Sequence, residues 1–145
     1  MATAKDLLRG RIMGEVFSIH PVTSVQEALA QLSEHNVGAL LVVDAGGEVV
    51  GILSERDIVR KVGLLGKTAE ATRVGEIMTG KVFFVNASQT VEECMAMMNE
   101  KSIRHLPVYE NGTLLGMISI RDVLRTVISE QQNLLTHLEQ YIRRG

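Results

Sequence analysis

Two short segments combine residue types suited to binding an anion and a diol. Ser54-Glu55-Arg56-Asp57 and Ser119-Ile120-Arg121-Asp122 share a Ser-x-Arg-Asp pattern. Each follows a β-rich run and opens a helical one. A serine hydroxyl donates to phosphate, an arginine pairs with it bidentately, and free amides at a helix start favour negative charge. The aspartate carboxylate accepts from two vicinal hydroxyls, as an acidic residue does for ribose in dinucleotide folds. Ser and Asp three apart also make a plain helix cap. Capping explains those two residues, but not why Arg56 and Arg121 recur between them.

The recurrence is wider than the motif. Gly51 to Ile58 returns as Gly116 to Val123. Upstream, Val16-Phe17 returns as Val82-Phe83, Val25-Gln26-Glu27 as Val91-Glu92-Glu93, and Val42 as Val108. The offset changes by one residue in the turn, where Asp44-Ala45-Gly46-Gly47-Glu48 faces Glu110-Asn111-Gly112-Thr113. Each copy reads as strand, helix, strand, turn, strand, helix. Ser24 with Glu27 and Thr90 with Glu93 predict capping boxes. The stripes Val25, Ala28, Leu29, Leu32 and Val91, Cys94, Met95, Met98 have helical spacing. Residues 39–43, 49–53, 106–109 and 113–118 read as strands; their nearly continuous apolar character predicts burial on both faces. Pro107 is expected at an edge or strand start. Gly63 to Thr72 reads as the linker.

From Arg121 onward one long helix is expected. Leu124, Ile128, Gln131, Leu135, Leu138 and Ile142 alternate steps of four and three, a heptad seam with one polar position. Val127, Leu134 and Tyr141 widen it. Such a seam needs a surface beyond its own repeat.

Composition narrows the function classes. The 145 residues carry a formal net charge of −2, and aromatics make up 3% with no Trp. That argues against a nonspecific grip on nucleic acid, by phosphate neutralisation or by base stacking. Cys94 is the single cysteine, and the four histidines lack metal-ligand spacing, so no metal centre is expected. No apolar run reaches the ~20 residues of a membrane span, and the expected compartment is the cytoplasm. No nucleophile or acid partner accompanies His105, so no catalytic residue is assigned. A half-chain of about 65 residues is marginal alone, so the copies are expected to share a core.

The ordered pattern Ile103-Arg104-His105-Leu106-Pro107-Val108, Gly112, and Leu115 to Asp122 resembles a CBS domain, the cystathionine-β-synthase repeat. Val74-Gly75-Glu76-Ile77-Met78-Thr79 is similar to its lead-in segment, and copy one matches more loosely through Val37 to Val42. The resemblance covers about residues 10 to 127. It implies an α/β (α+β) fold of two βαββα repeats, residues 10–66 and 74–127, paired through their sheets about a pseudo-twofold axis, with a C-terminal helix extension over 128–145. It implies a non-catalytic regulatory module, a Bateman module, with two clefts for adenosyl ligands such as AMP, ATP or NAD. One cleft would use Val16, Phe17, Ser18, Val37, Gly38, Ala39, Ser54, Arg56 and Asp57. The other would use Val82, Phe83, Ile103, Arg104, His105, Ser119, Arg121 and Asp122. Aspartate would hold ribose, and Ser and Arg would lie near phosphate, with Arg104 and His105 near the axis and in reach of either. Gly38-Ala39 replaces Arg104-His105 in copy one, so the clefts would differ. A homodimer and an unidentified regulated protein are implied as partners. The rival readings are a small nucleotide-processing enzyme and an oligomerisation adaptor whose motifs only cap helices.

Overall fold

The computed structural model describes residues 2–8 and 17–144. In chain order they form α1 (Ala4–Leu7), β1 (Ser18–Ile19), α2 (Val25–His35), β2 (Ala39–Val43), β3 (Val49–Ser54) and α3 (Glu55–Ile58), which runs into a π-helical turn (Val59–Gly63). Then come α4 (Val74–Ile77), β4 (Val85–Asn86), α5 (Val91–Lys101), β5 (His105–Glu110), β6 (Thr113–Ser119) and α6 (Ile120–Arg144). Two three-stranded sheets result, β1-β2-β3 and β4-β5-β6. In each, the first strand runs parallel and the third antiparallel to the middle one.

The strands pair in the registers the repeat demands. Ala39 faces Ser54 in one sheet and His105 faces Ser119 in the other. Both middle strands shift register at the same place, Val42/Val43 and Val108/Tyr109. The one-residue offset is the turn. Asn111 and Gly112 both take positive φ, 51° and 78°, the two-residue hairpin turn. Copy one has a longer turn closed by Asp44, whose Oδ1 accepts from the amides of Gly46 and Glu48, each at 2.9 Å.

Pro107 departs from expectation. It lies inside β5, the central strand, and is buried opposite Met117. The equivalent Leu41 donates its amide to Phe17 O at 3.1 Å. Proline has no such donor. Accordingly β4 joins β5 one residue later than β1 joins β2, at Val85↔Val108 instead of Ser18↔Leu41. Shortening the neighbour lets proline occupy a middle strand.

The chain divides into two compact units that do not coincide with the sequence repeats. Residues 17–83 form the first, and residues 2–8 with 84–144 form the second. In the first unit α2 lies on the sheet, and Ile19, Val25, Ala28, Leu32, Leu40, Val42, Leu53 and Ile58 share a core. The segment expected as a linker, residues 63–72, lies against this unit: Ala69 packs on the core between Val62 and Val74, which belong to it, Thr72 is buried, and Gln26 N donates to Ala69 O. β2 is buried on both faces, with Leu40 and Val42 in this core and Ala39 and Leu41 on the opposite side of the pleat.

Each unit is completed by a short capped segment. In the first, Val74 N donates to Thr23 O and Gly75 N to Pro21 O, both at 2.8 Å. In the second, Ala4 N donates to Gln89 O at 2.8 Å and Lys5 N to Ala87 O at 3.1 Å. Thr3 and Asp6 form a capping box there, and Ala4, Leu7 and Leu8 are buried. Residues 2–8 are thus the counterpart of Val74 to Ile77.

The α2 and α5 stripes bury Val25, Ala28 and Leu32, and Val91, Cys94 and Met98. Leu29 is exposed and Met95 half-buried. Thr90 and Glu93 make the full box, whereas Ser24 makes only the half that accepts from Glu27 N. The backbone and hydroxyl donors of Thr90 hold the Glu93 carboxyl below its usual range. Burial pushes the Cys94 thiol up to about 11, which keeps it protonated and inert at neutral pH.

Candidate functional site

In the first unit the sheet brings three candidate segments to one end. β1 and β2 run parallel and β3 returns antiparallel, so the start of β1, the start of β2 and the end of β3 lie together. There stand Phe17-Ser18, Val37-Gly38-Ala39, and Ser54 to Asp57. Glu55 N donates to Gly38 O at 3.0 Å, tying the start of α3 to the start of β2. Val16 lies outside the described residues.

The Ser-x-Arg-Asp geometry is a capping box and more. Asp57 Oδ2 accepts from Ser54 N at 3.0 Å and Ser54 Oγ at 3.1 Å, and Ser54 Oγ accepts from Asp57 N at 3.2 Å. The other oxygen, Oδ1, accepts from Thr79 Oγ1 at 3.1 Å and pairs with Lys61 Nζ at 3.2 Å. Lys61 Nζ also donates to Ile77 O at 2.9 Å. A half-buried carboxylate thus sits among two hydroxyls and an ammonium at a helix start. Arg56 is exposed beside it and has no ion-pair partner among the described residues.

Sequence reading missed Thr79, Lys61 and His35. Lys61 was legible as a cation four residues after Asp57. Thr79 has no local signal, since it comes from the segment that precedes the next repeat. His35 stacks on Phe17, with centroids 3.8 Å apart and planes 8° from parallel. The expected adenine-flanking aromatic therefore already has one face covered.

The second unit repeats the box. Asp122 Oδ2 accepts from Ser119 N at 2.7 Å and Ser119 Oγ at 3.1 Å, and Asp122 N donates to Ser119 Oγ at 3.3 Å. Asp122 is buried, and Arg121 is exposed. Ile120 N donates to Arg104 O at 2.8 Å, the counterpart of the Glu55–Gly38 bond. Ile103, Arg104 and His105 are thereby gathered with Ser119, Arg121 and Asp122 at one end of the sheet. Arg104 is exposed and His105 half-buried. Val82 and Phe83 are not part of this unit; they close the first one, where Lys81 Nζ sits 5.4 Å from the Phe83 centroid. In the second unit Phe84 lies edge-on to Tyr109 at 5.3 Å.

Among the described residues no cluster of three or more His, Cys, Asp or Glu is placed to hold a metal ion. Among the described residues no helix is long and apolar enough to cross a membrane.

Two βαββα motifs, each ending in a Ser-x-x-Asp box at a helix start, define a tandem-repeat module with duplicated candidate sites. The profile of the CBS domain matches residues 4–64 and 74–129, and the chain belongs to the CBS-domain family. It is similar to a mitochondrial CBS-domain protein of Arabidopsis thaliana, CBSX3, at 39% identity over 126 residues, covering 84% of this chain and 61% of that protein. The chain therefore spans about three fifths of that relative's length. A solved structure of a protein with CBS domains from Burkholderia ambifaria superposes with a TM-score of 0.84 at 42% identity, over 90% of this chain and 96% of that one. The hexameric CBS-CP12 protein of bloom-forming cyanobacteria superposes with a TM-score of 0.75 at 30% identity, over 86% and 70% of the two chains.

Proposed function

We propose that this protein is a non-catalytic regulatory module of the cytoplasm that binds adenosyl nucleotides, AMP, ATP or NAD, and passes their occupancy to a protein partner. One observation carries the reading: both units hold an aspartate in a Ser-x-x-Asp box while the adjacent arginine stands exposed on the first turn. Asp57 and Asp122 take the ribose diol, with Ser54, Arg56, Ser119, Arg121 and Arg104 toward phosphate. Phe17 and the segments 37–39 and 103–105 line the base. In the first unit the diol must compete with Thr79 and Lys61 for Asp57 Oδ1.

Signal transfer is differential binding: a nucleotide that stabilises one arrangement of the module shifts the population toward it. Self-association belongs to this reading. The exposed apolar stripe of α6 needs cover, and the hexameric cyanobacterial relative shows that this fold assembles in at least one protein. The working form is a homodimer. Mass spectrometry of small molecules released from purified, denatured protein tests the ligand class. An adenosyl compound at near-stoichiometric level is expected. Nothing released, together with no melting shift from any adenosyl ligand, would leave the motifs as helix caps. Turnover of added nucleotide, followed by chromatography, would instead identify an enzyme.

A further inference from the structure

We propose that α6 pairs with α6 of a second copy in an antiparallel two-helix seam centred on Asn133. This rests on the self-association put forward above and specifies which surface makes it and in what direction. α6 leaves its unit after Val123, which is fully buried. Beyond that point Leu124, Ile128, Leu134, Leu135, Leu138, Tyr141 and Ile142 are between 49% and 78% exposed. From Leu124 to Ile142 the stripe runs about 27 Å at ~1.5 Å per residue. That length and spacing match a coiled-coil surface.

The flanking positions choose the direction. With Ile128, Leu135 and Ile142 at a, and Leu124, Gln131 and Leu138 at d, the g positions are Val127, Leu134 and Tyr141. The e positions are Arg125, Gln132 and Glu139. One flank is wholly apolar and the other wholly polar. In a parallel pair g meets e, so Leu134 would lie beside Glu139 and Val127 beside Gln132. In an antiparallel pair g meets g and e meets e. Centred on Asn133, the seam then opposes Leu124 to Ile142 and Ile128 to Leu138 of the second copy. Leu134 meets its own copy, and Val127 meets Tyr141. On the other flank Arg125 meets Glu139 twice, and the two Gln132 side chains meet at the axis. Gln131, the polar seam position, falls in the two layers beside that axis, within reach of those amides. A single polar core position of this kind fixes register at some cost in stability.

Two experiments on the full chain test direction and surface. Ile128→Cys and Leu138→Cys are made separately and oxidised mildly; the native Cys94 is buried and its thiol is held protonated, so it does not interfere. In the antiparallel seam neither variant alone cross-links, and an equimolar mixture re-equilibrated before oxidation gives a disulfide dimer on a non-reducing gel. Efficient cross-linking of Leu138→Cys alone would establish a parallel pair and overturn the proposal. In the second experiment Arg125→Glu and Glu139→Arg are each expected to raise the dimer dissociation constant about tenfold by placing like charges together. The double exchange restores it. In a parallel pair those residues lie ~21 Å apart along the axis, so lack of rescue would also overturn it. Light scattering separates the two levels. A dimer mass with no cross-link in any sample means assembly through another surface, which rejects the seam and keeps self-association. A monomer mass at tens of micromolar rejects both.

Discussion

At the scale of single residues, both oxygens of Asp57 are engaged, Oδ2 by Ser54 and Oδ1 by Thr79 and Lys61. The Ser54–Asp57 and Ser119–Asp122 boxes follow from a three-residue spacing before a helical run. Thr79 on Asp57 Oδ1 does not, because the contact joins residues 22 apart and no local pattern encodes it. Thr79→Val removes that hydroxyl and leaves Lys61 on the same oxygen. A loss of about 1 kcal/mol in urea unfolding is expected, with a change in nucleotide affinity confined to the first site. Arg104→Ala is expected to weaken AMP and ATP far more than adenosine, because its proposed role is phosphate neutralisation; equal weakening of all three by titration calorimetry would remove that role. Cys94 gives a pH signature. Its folded-state thiol pKa of about 11 lies above the unfolded value near 9.0, so the unfolded chain holds fewer protons in between. Its stabilising contribution is complete below pH 9 and is lost as pH rises toward 11. Urea melts across that interval should show a decline that Cys94→Ala lacks.

At the scale of elements, the periodic apolar runs specified strands, helices and turns closely, since burial on a sheet or a helical face is written in local order. The elements that escaped are those whose role is set by distant partners. Residues 2–8 are too short to show periodicity, yet they complete the second unit by pairing beside α5. Pro107 sits mid-strand only because β4 starts late. Two glycines mark where short segments cross the sheets. A Cβ on Gly51 would come within 3.0 Å of Thr79 O and 2.7 Å of Met78 Sδ. A Cβ on Gly116 would meet the Leu8 side chain first, its Cδ2 at 3.0 Å. A carbonyl in the Ile52↔Thr79 bridge cannot yield, whereas a leucine tip can. Gly51→Ala should therefore cost about 1–3 kcal/mol and Gly116→Ala clearly less; chemical denaturation that reverses the order would contradict this packing. Truncation after Ser129 removes most of the exposed α6 stripe. It should weaken the proposed dimer and leave the two units folded, as read by sedimentation and circular dichroism.

At the scale of the whole molecule, duplication gives two candidate sites whose surroundings differ. Gly38-Ala39 stands where the other copy has Arg104-His105, and that difference in charge was plain in the sequence. If adenosyl ligands are the signal, saturating AMP, ATP or NAD at about 100 times the dissociation constant adds ~2.7 kcal/mol. For a domain of this size that raises Tm by about 5–10 °C. Guanosine and cytidine nucleotides should shift it less; equal shifts for all would mean recognition of phosphate alone. The central claim, that the paired aspartates hold a ribose, is tested most directly by calorimetric titration of AMP into the wild type and into the Asp57→Asn/Asp122→Asn double variant, with folding checked by circular dichroism. Asparagine keeps an oxygen to cap the helix but loses the charged acceptor, at a cost of about 1.5–3 kcal/mol of affinity per site. Saturable binding in the wild type and affinity lowered roughly ten- to a hundredfold in the folded double variant are expected. Unchanged affinity in that variant would contradict the account and reduce both motifs to helix caps.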